Sequence, residues 1–252
     1  MEVFDAVVLA AGRLTPADAS RAGVRIKALA PVGGTTGLKA VIAALRSTQA
    51  VRRIIVVAPR EVHNSARAVD LWIDERENGG ENVLAGLSTV QTRRAIVSAS
   101  DLPFIKAEHV EGFLSLVPDD AAVAYPIFER GEFLAAFPGG RTKFARLAAG
   151  DYTGGSLCVM DAGLALRHGR LVRRGFATRK SQMKMASLLG GANLWRFVRG
   201  RLMVDDIERR LTQLVGKSAV AVRGAHPAIA MDYDTASELE YTRSRAAQLV
   251  RS

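Results

Sequence analysis

Residues 5–13 read DAVVLAAGR, an apolar run that ends on two alanines, a glycine and an arginine. A nearly unbroken apolar stretch is what a strand buried on both faces of a sheet requires. The bare backbone after it is either an ordinary strand-to-helix turn or a loop that lets main chain approach a ligand. The segments that follow set the context. GLKAVIAALRS, from 37, carries Leu38, Ile42 and Leu45 at helical spacing, and RRIIVVAP, from 52, is a second buried strand stopped by a proline. ENVLAGLSTVQ, from 81, reads as a short helix that Asn82 caps. RAIVSASDLP is a third strand, KAEHVEGFLSLV a helix and AAVAYPIF a fourth strand. Strand and helix in alternation predict an α/β fold with a mostly parallel sheet and right-handed crossovers.

After residue 130 the rhythm changes. GDYTGGSLCVMD, from 150, carries a glycine pair followed by a strand. Three helical stretches then fall between about 181 and 215, among them VDDIERRLTQLVG with Val204, Ile207, Leu211 and Leu214 on one face. AVAV, from 219, and PAIAMDYD, from 227, read as short strands, and TASELEYTRSRAAQLV as a terminal helix opened by Thr235. No repeat or low-complexity linker divides the chain, so residues 1–252 are expected to form a single domain. Residues 165–217 read as a helical, basic insertion before the last strand and helix.

The 252 residues carry a net charge of +10, and 48% of them are hydrophobic, enough for a sizeable core. From Arg167 to Lys217 there are thirteen Lys or Arg against Asp205, Asp206 and Glu208, which is the whole of the excess. Such a segment suits nucleic acid, an anionic surface or a polyphosphate substrate. Aromatics are sparse there (Phe176, Trp195, Phe197), which disfavours nucleic acid. No apolar run approaches the roughly 18–20 residues that span a bilayer, and Met1–Asp5 lacks a basic leader region. A cytoplasmic protein without a membrane partner is the expectation; homo-oligomerisation is left open. The single Cys158 excludes an intrachain disulfide and reads as a buried small hydrophobe.

Ligands of open α/β sheets bind outside the carboxyl ends of the strands. Three features fall there: LAAGR after the first strand, Asp101 after the third, and Asp232 and Asp234 after the last. Separate acids beside a bare loop suit a magnesium-nucleotide, because Mg²⁺ takes one or two protein carboxylates and completes its shell with phosphate and water. Two familiar signatures are excluded. AAGRLTPAD has one glycine of the dinucleotide fingerprint, and GGTTGLKA lacks both P-loop spacing and a Ser or Thr after Lys39.

Taken in order, VVLAAGR, IKALAPVGGTTGLKAVIAAL, IIVVAP, GENVLAGL, VSASDLPFI, YTGGSLCVMD and MDYDTASELE resemble the sugar-nucleotide and molybdenum-cofactor (MobA-like) nucleotidyltransferases over most of the chain. The resemblance implies a Rossmann-like sheet of the glycosyltransferase-A kind. It implies transfer of a nucleoside monophosphate from an NTP to a phosphate or hydroxyl on a small acceptor, with Mg²⁺ required and pyrophosphate released; a basic pocket would favour a phosphorylated acceptor. Leu9, Ala10, Ala11 and Gly12 then match the base-binding loop, and Asn82 and Gly86 further base and ribose contacts. Arg13 and Lys27 match the cations on the triphosphate, and Asp101 the magnesium aspartate. Asp234 matches a second metal ligand, with Asp232 in reserve, and Tyr152, Thr153, Gly154 and Gly155 match the acceptor loop. Lys180 or Lys184 is a candidate for a second phosphate contact.

The chain departs from the family's LAAGxGxRM: its second glycine is missing and extra residues precede Lys27. The departure keeps open a degenerate nucleotide-binding protein without turnover, and the charge of 167–217 a nucleic-acid-binding one.

Overall fold

The computed structural model describes residues 2–179 and 181–249. Its strands are β1 (Phe4–Leu9), β2 (Pro31–Val32), β3 (Thr35–Thr36), β4 (Val51–Ala58), β5 (Leu71–Asp74), β6 (Arg94–Ala99), β7 (Val123–Glu129), β8 (Ala145–Leu147), β9 (Gly150–Gly154), β10 (Leu157–Asp161) and β11 (Ala219–Val222). Its helices are α1 (Pro16–Ala22), α2 (Gly37–Ser47), α3 (Gly79–Leu87), α4 (Ala107–Ser115), α5 (Arg130–Ala136), α6 (Ala162–Arg167), α7 (Gly169–Thr178), α8 (Gln182–Leu188), α9 (Gly191–Val198), α10 (Val204–Val215) and α11 (Ala236–Leu249).

One sheet runs in the order β5-β4-β1-β6-β10-β7-β9-β8, with β11 also paired to β7. The run from β5 to β6 is parallel throughout, and β11 is parallel to β7. β10 enters antiparallel between β6 and β7, so β7 points the same way as β1. Alternation along β1 explains the two-sided core. Ala6 and Val8 face a cluster with Leu38, Ile42, Val110 and Phe113, from α2 and α4. Val7 faces the opposite cluster with Val83, Leu87, Ala162 and, partly buried, Val172 and Phe176, from α3, α6 and α7. Helices therefore cover both faces of the sheet, the arrangement that the apolar character of VVLA requires.

Four local readings need correction. LWID forms the parallel edge strand β5, hidden in the sequence because it is only four residues long and half-buried. ARL likewise forms the short strand β8, paired in a hairpin with β9. PAIAMDYD is no strand: Pro227–Ala230 is a 3₁₀ turn with Pro227 at its start. Asn82 does not cap α3; Asn78 does, its side chain accepting from Glu81 N at 3.1 Å. Thr235 does open α11, accepting from Glu238 N while Glu238 accepts from Thr235 N, a reciprocal cap. Cys158 is buried, and burial pushes its thiol up to about 12.

α4 meets the 3₁₀ turn through His109 and His226, whose rings stack with centroids 3.8 Å apart and planes 1° from parallel. Each Nδ1 accepts a backbone N–H, from Lys106 and from Ala228. Both rings are thereby kept neutral. Burial, then the charge of the neighbouring His226, pulls His109 down to about 4, and burial also lowers His226. A histidine lowered in the folded state releases protons on folding, so its contribution is fully present above about pH 6.5 and is lost as the pH falls toward 4. Urea unfolding at pH 7.5, 6 and 4.5 should show stability falling with acidification, with a shallower fall in His109→Gln; equal slopes would exclude the stack as a cause.

Candidate functional site

The extra residues between Gly12 and Lys27 form a closed excursion. Arg13 and Ile26 make an isolated antiparallel bridge, Leu14 N donates to Arg25 O, and Lys27 N donates to Gly12 O. Between them lies α1, capped by Thr15 and ended by Gly23 in the left-handed conformation at φ 69°. Lys27 thus returns to Gly12 despite fourteen intervening residues. A Cβ on Gly12 would lie 2.9 Å from Lys27 Cε, so the glycine makes room for the lysine chain itself. Asp18 of α1 accepts from Ala236 N at 3.0 Å, docking the excursion on the start of α11.

Lys27 gathers the distant acids. Its ammonium touches Asp101 at the end of β6 and Asp234 before α11, the latter at 2.8 Å. Tyr233, fully buried between the two late acids, donates from its hydroxyl to Lys27 O at 2.9 Å. Gly37, at the start of α2, lies so close to Asp101 that a Cβ there would sit 2.7 Å from Ser100 O and 3.0 Å from Asp101 Cα. Burial opposes the charge on Lys27. The two carboxylates outweigh it and hold the ammonium above the ordinary lysine range. Asp232 accepts from Ser156 Oγ at 2.6 Å. Burial, and then the charge of Asp101, pushes its carboxyl up to about 7.

The remaining candidates divide. Leu9 and Ala11 are half-buried, Ala10 is buried and Gly12 exposed, so the loop presents main chain at the surface of the cluster. Arg13 is held by both carboxylate oxygens of Glu75, at 2.7 and 2.5 Å, and donates to Ala11 O. Asn82 is buried, and its side-chain oxygen accepts from Arg76 N at 2.6 Å, tying the residues after β5 to α3. Gly86 packs into the sheet, where a Cβ would lie 2.3 Å from Val7 Cγ1; its place is explained by helix-to-strand approach. Tyr152 and Thr153 are buried, with hydroxyls bonded to Glu129 and Thr142. Gly154 lies against the Tyr125 ring, and Gly155 is wedged between Pro126 and Ile229. From this loop it is the next residue, Ser156, that reaches the acids. No local pattern marked Ser156, Glu75, Tyr233 or Gly37, because the partners of each are remote in the chain.

The helical segment borders the same region. α7 lies along α3, with Arg173 paired to Glu81 and the Phe176 ring against Gly79. Arg179 stacks on Phe176 with its charge centre 4.9 Å from the ring centroid. Tyr125, whose ring packs on Gly154, is 43% exposed in the same region. Lys184 is exposed on α8; Lys180 lies outside the described residues.

The chain that carries this cluster is similar to known proteins in sequence and fold. Residues 6–170 match the MobA-like NTP transferase domain. The chain belongs to that family. A hypothetical transferase from Thermus thermophilus is 31% identical, with 95% of this chain and 100% of that one covered and a TM-score of 0.80. The 2-C-methyl-D-erythritol 4-phosphate cytidylyltransferase of Thermus thermophilus shares the fold at 17% identity, 98% and 100% coverage and a TM-score of 0.58. A CMP:2-keto-3-deoxy-manno-octonic acid synthetase complexed with CTP does so at 15% identity, 99% and 100% coverage and 0.58. No curated protein matches in sequence. No helix among the described residues is long and apolar enough to cross a membrane.

Removing the central cation tests whether it organises the cluster. Lys27→Met leaves Asp101, almost wholly buried, without its counter-charge, which costs about 3 kcal/mol for such a pair. Urea unfolding should show that loss in Lys27→Met and its partial recovery in Lys27→Met/Asp101→Asn, where the buried charge is gone as well; an equal loss in both variants would assign it to packing.

Proposed function

We propose that the chain is an Mg²⁺-dependent nucleotidyltransferase that moves a nucleoside monophosphate from an NTP to a small, phosphorylated acceptor and releases pyrophosphate. The observation that carries this is the single ammonium of Lys27 held by Asp101 and Asp234 beside the Gly12 loop. Two carboxylates that reach one cation are within reach of another, and an all-oxygen donor set suits magnesium. Among the described residues no group of three or more His, Cys, Asp or Glu is gathered to hold a metal. Mg²⁺ takes one or two protein carboxylates and completes its shell with phosphate and water, so Asp101 and Asp234, with Asp232 at hand, would hold an ion that arrives with its nucleotide. Bound there, the ion would supply neutralisation of phosphate charge during displacement.

The protein's own part is positioning and electrostatics. Main-chain groups of Leu9–Gly12 line the nucleotide. Asn82, through Arg76 N, fixes the segment that carries Glu75 and so the direction of Arg13. Lys27, kept protonated by its acids, exchanges carboxylate for phosphate and stabilises the leaving pyrophosphate. Ser156 and Tyr125, with the Tyr152–Gly155 hairpin behind them, face the acceptor, and Arg179 is the cation assigned to its anionic group.

Pyrophosphate release, followed across the four NTPs with sugar phosphates and other phosphorylated acceptors, should require Mg²⁺. It should fall about 10²-fold or more in Asp101→Ala and in Lys27→Ala, the scale of losing one preorganised charge contact. Full turnover in Asp101→Ala would sink the metal role. NTP binding by calorimetry with no turnover on any acceptor would favour the degenerate binder instead. A second measurement concerns Arg13. Glu75 competes with phosphate for its guanidinium, so Glu75→Gln should tighten NTP binding severalfold while changing stability by less than about 1 kcal/mol, as expected for a partly exposed pair. Weaker binding would instead make Glu75 a positioning partner.

A further inference from the structure

Ten large apolar side chains stand well exposed among the described residues, and five of them fall between 183 and 203: Met183, Met185, Trp195, Val198 and Met203. The stretch 181–203 also carries Lys184, Arg196, Arg199 and Arg201 and no acid. α9 shows the imbalance plainly. Its sequence GANLWRFV has four large apolar residues, yet Asn193 is its one buried residue. Two of the exposed groups, Met183 and Val198, share a groove of about 490 Å³ with Phe144, Arg146, Phe197 and Arg199. Arg199 stacks over Trp195 with 4.4 Å between its charge centre and the ring centroid, so apolar and cationic groups interleave. Arg196 is engaged by Asp206 at 3.0 Å. Lys184, Arg199 and Arg201 are exposed.

Contiguous exposed apolar surface on a soluble domain marks a contact site, and its chemistry selects the occupant. A second copy docked through the same face would bring these cations against their own counterparts without an acid to meet them, which opposes a two-fold contact. Single-stranded nucleic acid uses aromatic platforms along a basic groove. Here one face of Trp195 is covered by Arg199, and Met183, Met185 and Val198 offer no ring. A lipid surface with anionic headgroups matches both halves: Trp and aliphatic side chains enter the interface while Lys and Arg meet phosphates.

We propose that the α8–α9 face docks peripherally on an anionic lipid bilayer, with Trp195 and Val198 entering the headgroup boundary and Lys184, Arg199 and Arg201 binding phosphate. This runs against the sequence expectation of no membrane partner, which rested on the lack of a spanning run and of a basic leader. It is independent of the reaction proposed above.

The test uses the full chain with Trp72→Phe, so that Trp195 is the sole tryptophan, and vesicles of phosphatidylcholine with or without about 30% phosphatidylglycerol, an anionic fraction that gives a negative surface potential. Co-sedimentation should occur with the anionic vesicles, weaken at high salt and be negligible on pure phosphatidylcholine. Trp195 emission should shift to the blue and be quenched by brominated acyl chains. Trp195→Ser/Val198→Ser and, separately, Arg199→Glu/Arg201→Glu should each lower the affinity about tenfold or more, with unfolding curves confirming that both variants fold. Absence of binding would overturn the proposal, as would binding without a Trp195 shift. So would a dimer in sedimentation velocity that the Trp195→Ser/Val198→Ser variant abolishes, or binding of single-stranded oligonucleotides in preference to vesicles.

Discussion

The architecture turns on a charge balance among three remote pieces of chain. Lys27 follows the first strand, Asp101 the sixth, and Asp234 precedes the final helix; the lysine and Asp101 are nearly buried and costly alone, and the lysine serves both carboxylates, leaving one negative charge in excess. The rest of the local structure serves that contact. Gly12 clears a path for the lysine chain, Gly37 lets α2 approach Asp101, and the buried Tyr233 holds the lysine backbone from the side of the late acids. In the proposed reaction, a triphosphate and its metal are chemically the same exchange in another form: phosphate replaces carboxylate at the ammonium, and a divalent cation replaces ammonium at the carboxylates. The residues need not be rebuilt for ligand to enter.

Legibility in the sequence followed the range of the interactions involved. The apolar run of β1, the helical spacing of Leu38, Ile42 and Leu45, and the buried strand at 54–58 are local patterns imposed by a two-sided core, and they are read without knowing the partner elements. β5 and β8 escaped because a strand of three or four half-buried residues has no period to display. The segment 227–234 misled for the opposite reason. Its apolar residues are all buried, but Pro227 begins a 3₁₀ turn and the backbone hydrogen bonds close locally. Of the site, the acids, the lysine and the bare loop stood out by their order along the chain. Ser156 and Glu75 did not, because nothing near a residue in sequence announces a hydrogen bond 76 residues away or an ion pair 62 residues away. Gly86 was singled out by motif and is explained by packing.

The basic excess divides once the fold is known. Arg173, Arg196, Arg209 and Lys217 are each paired with an acid and contribute to cohesion of the helical segment. Arg179 stands beside the start of α3, and Arg199 and Arg201 belong to the α8–α9 face. One run of charge in the sequence therefore serves several separate purposes, and net charge alone did not distinguish them. Leu202 and Val204, packed against Leu147 and Tyr152, join the helical segment to the β8–β9 hairpin.

The closed excursion of residues 13–26 has an evolutionary corollary. Because Arg13 and Ile26 pair and Lys27 N returns to Gly12 O, the two functional ends meet whatever lies between them. The entropy of closing such a loop rises only slowly with its length, so insertions here are nearly neutral for the geometry at its base. Length polymorphism is expected to accumulate at this point among related chains. Spacing between glycine and lysine is consequently a poor ruler for recognising them, and the hydrogen-bonded neck a better one.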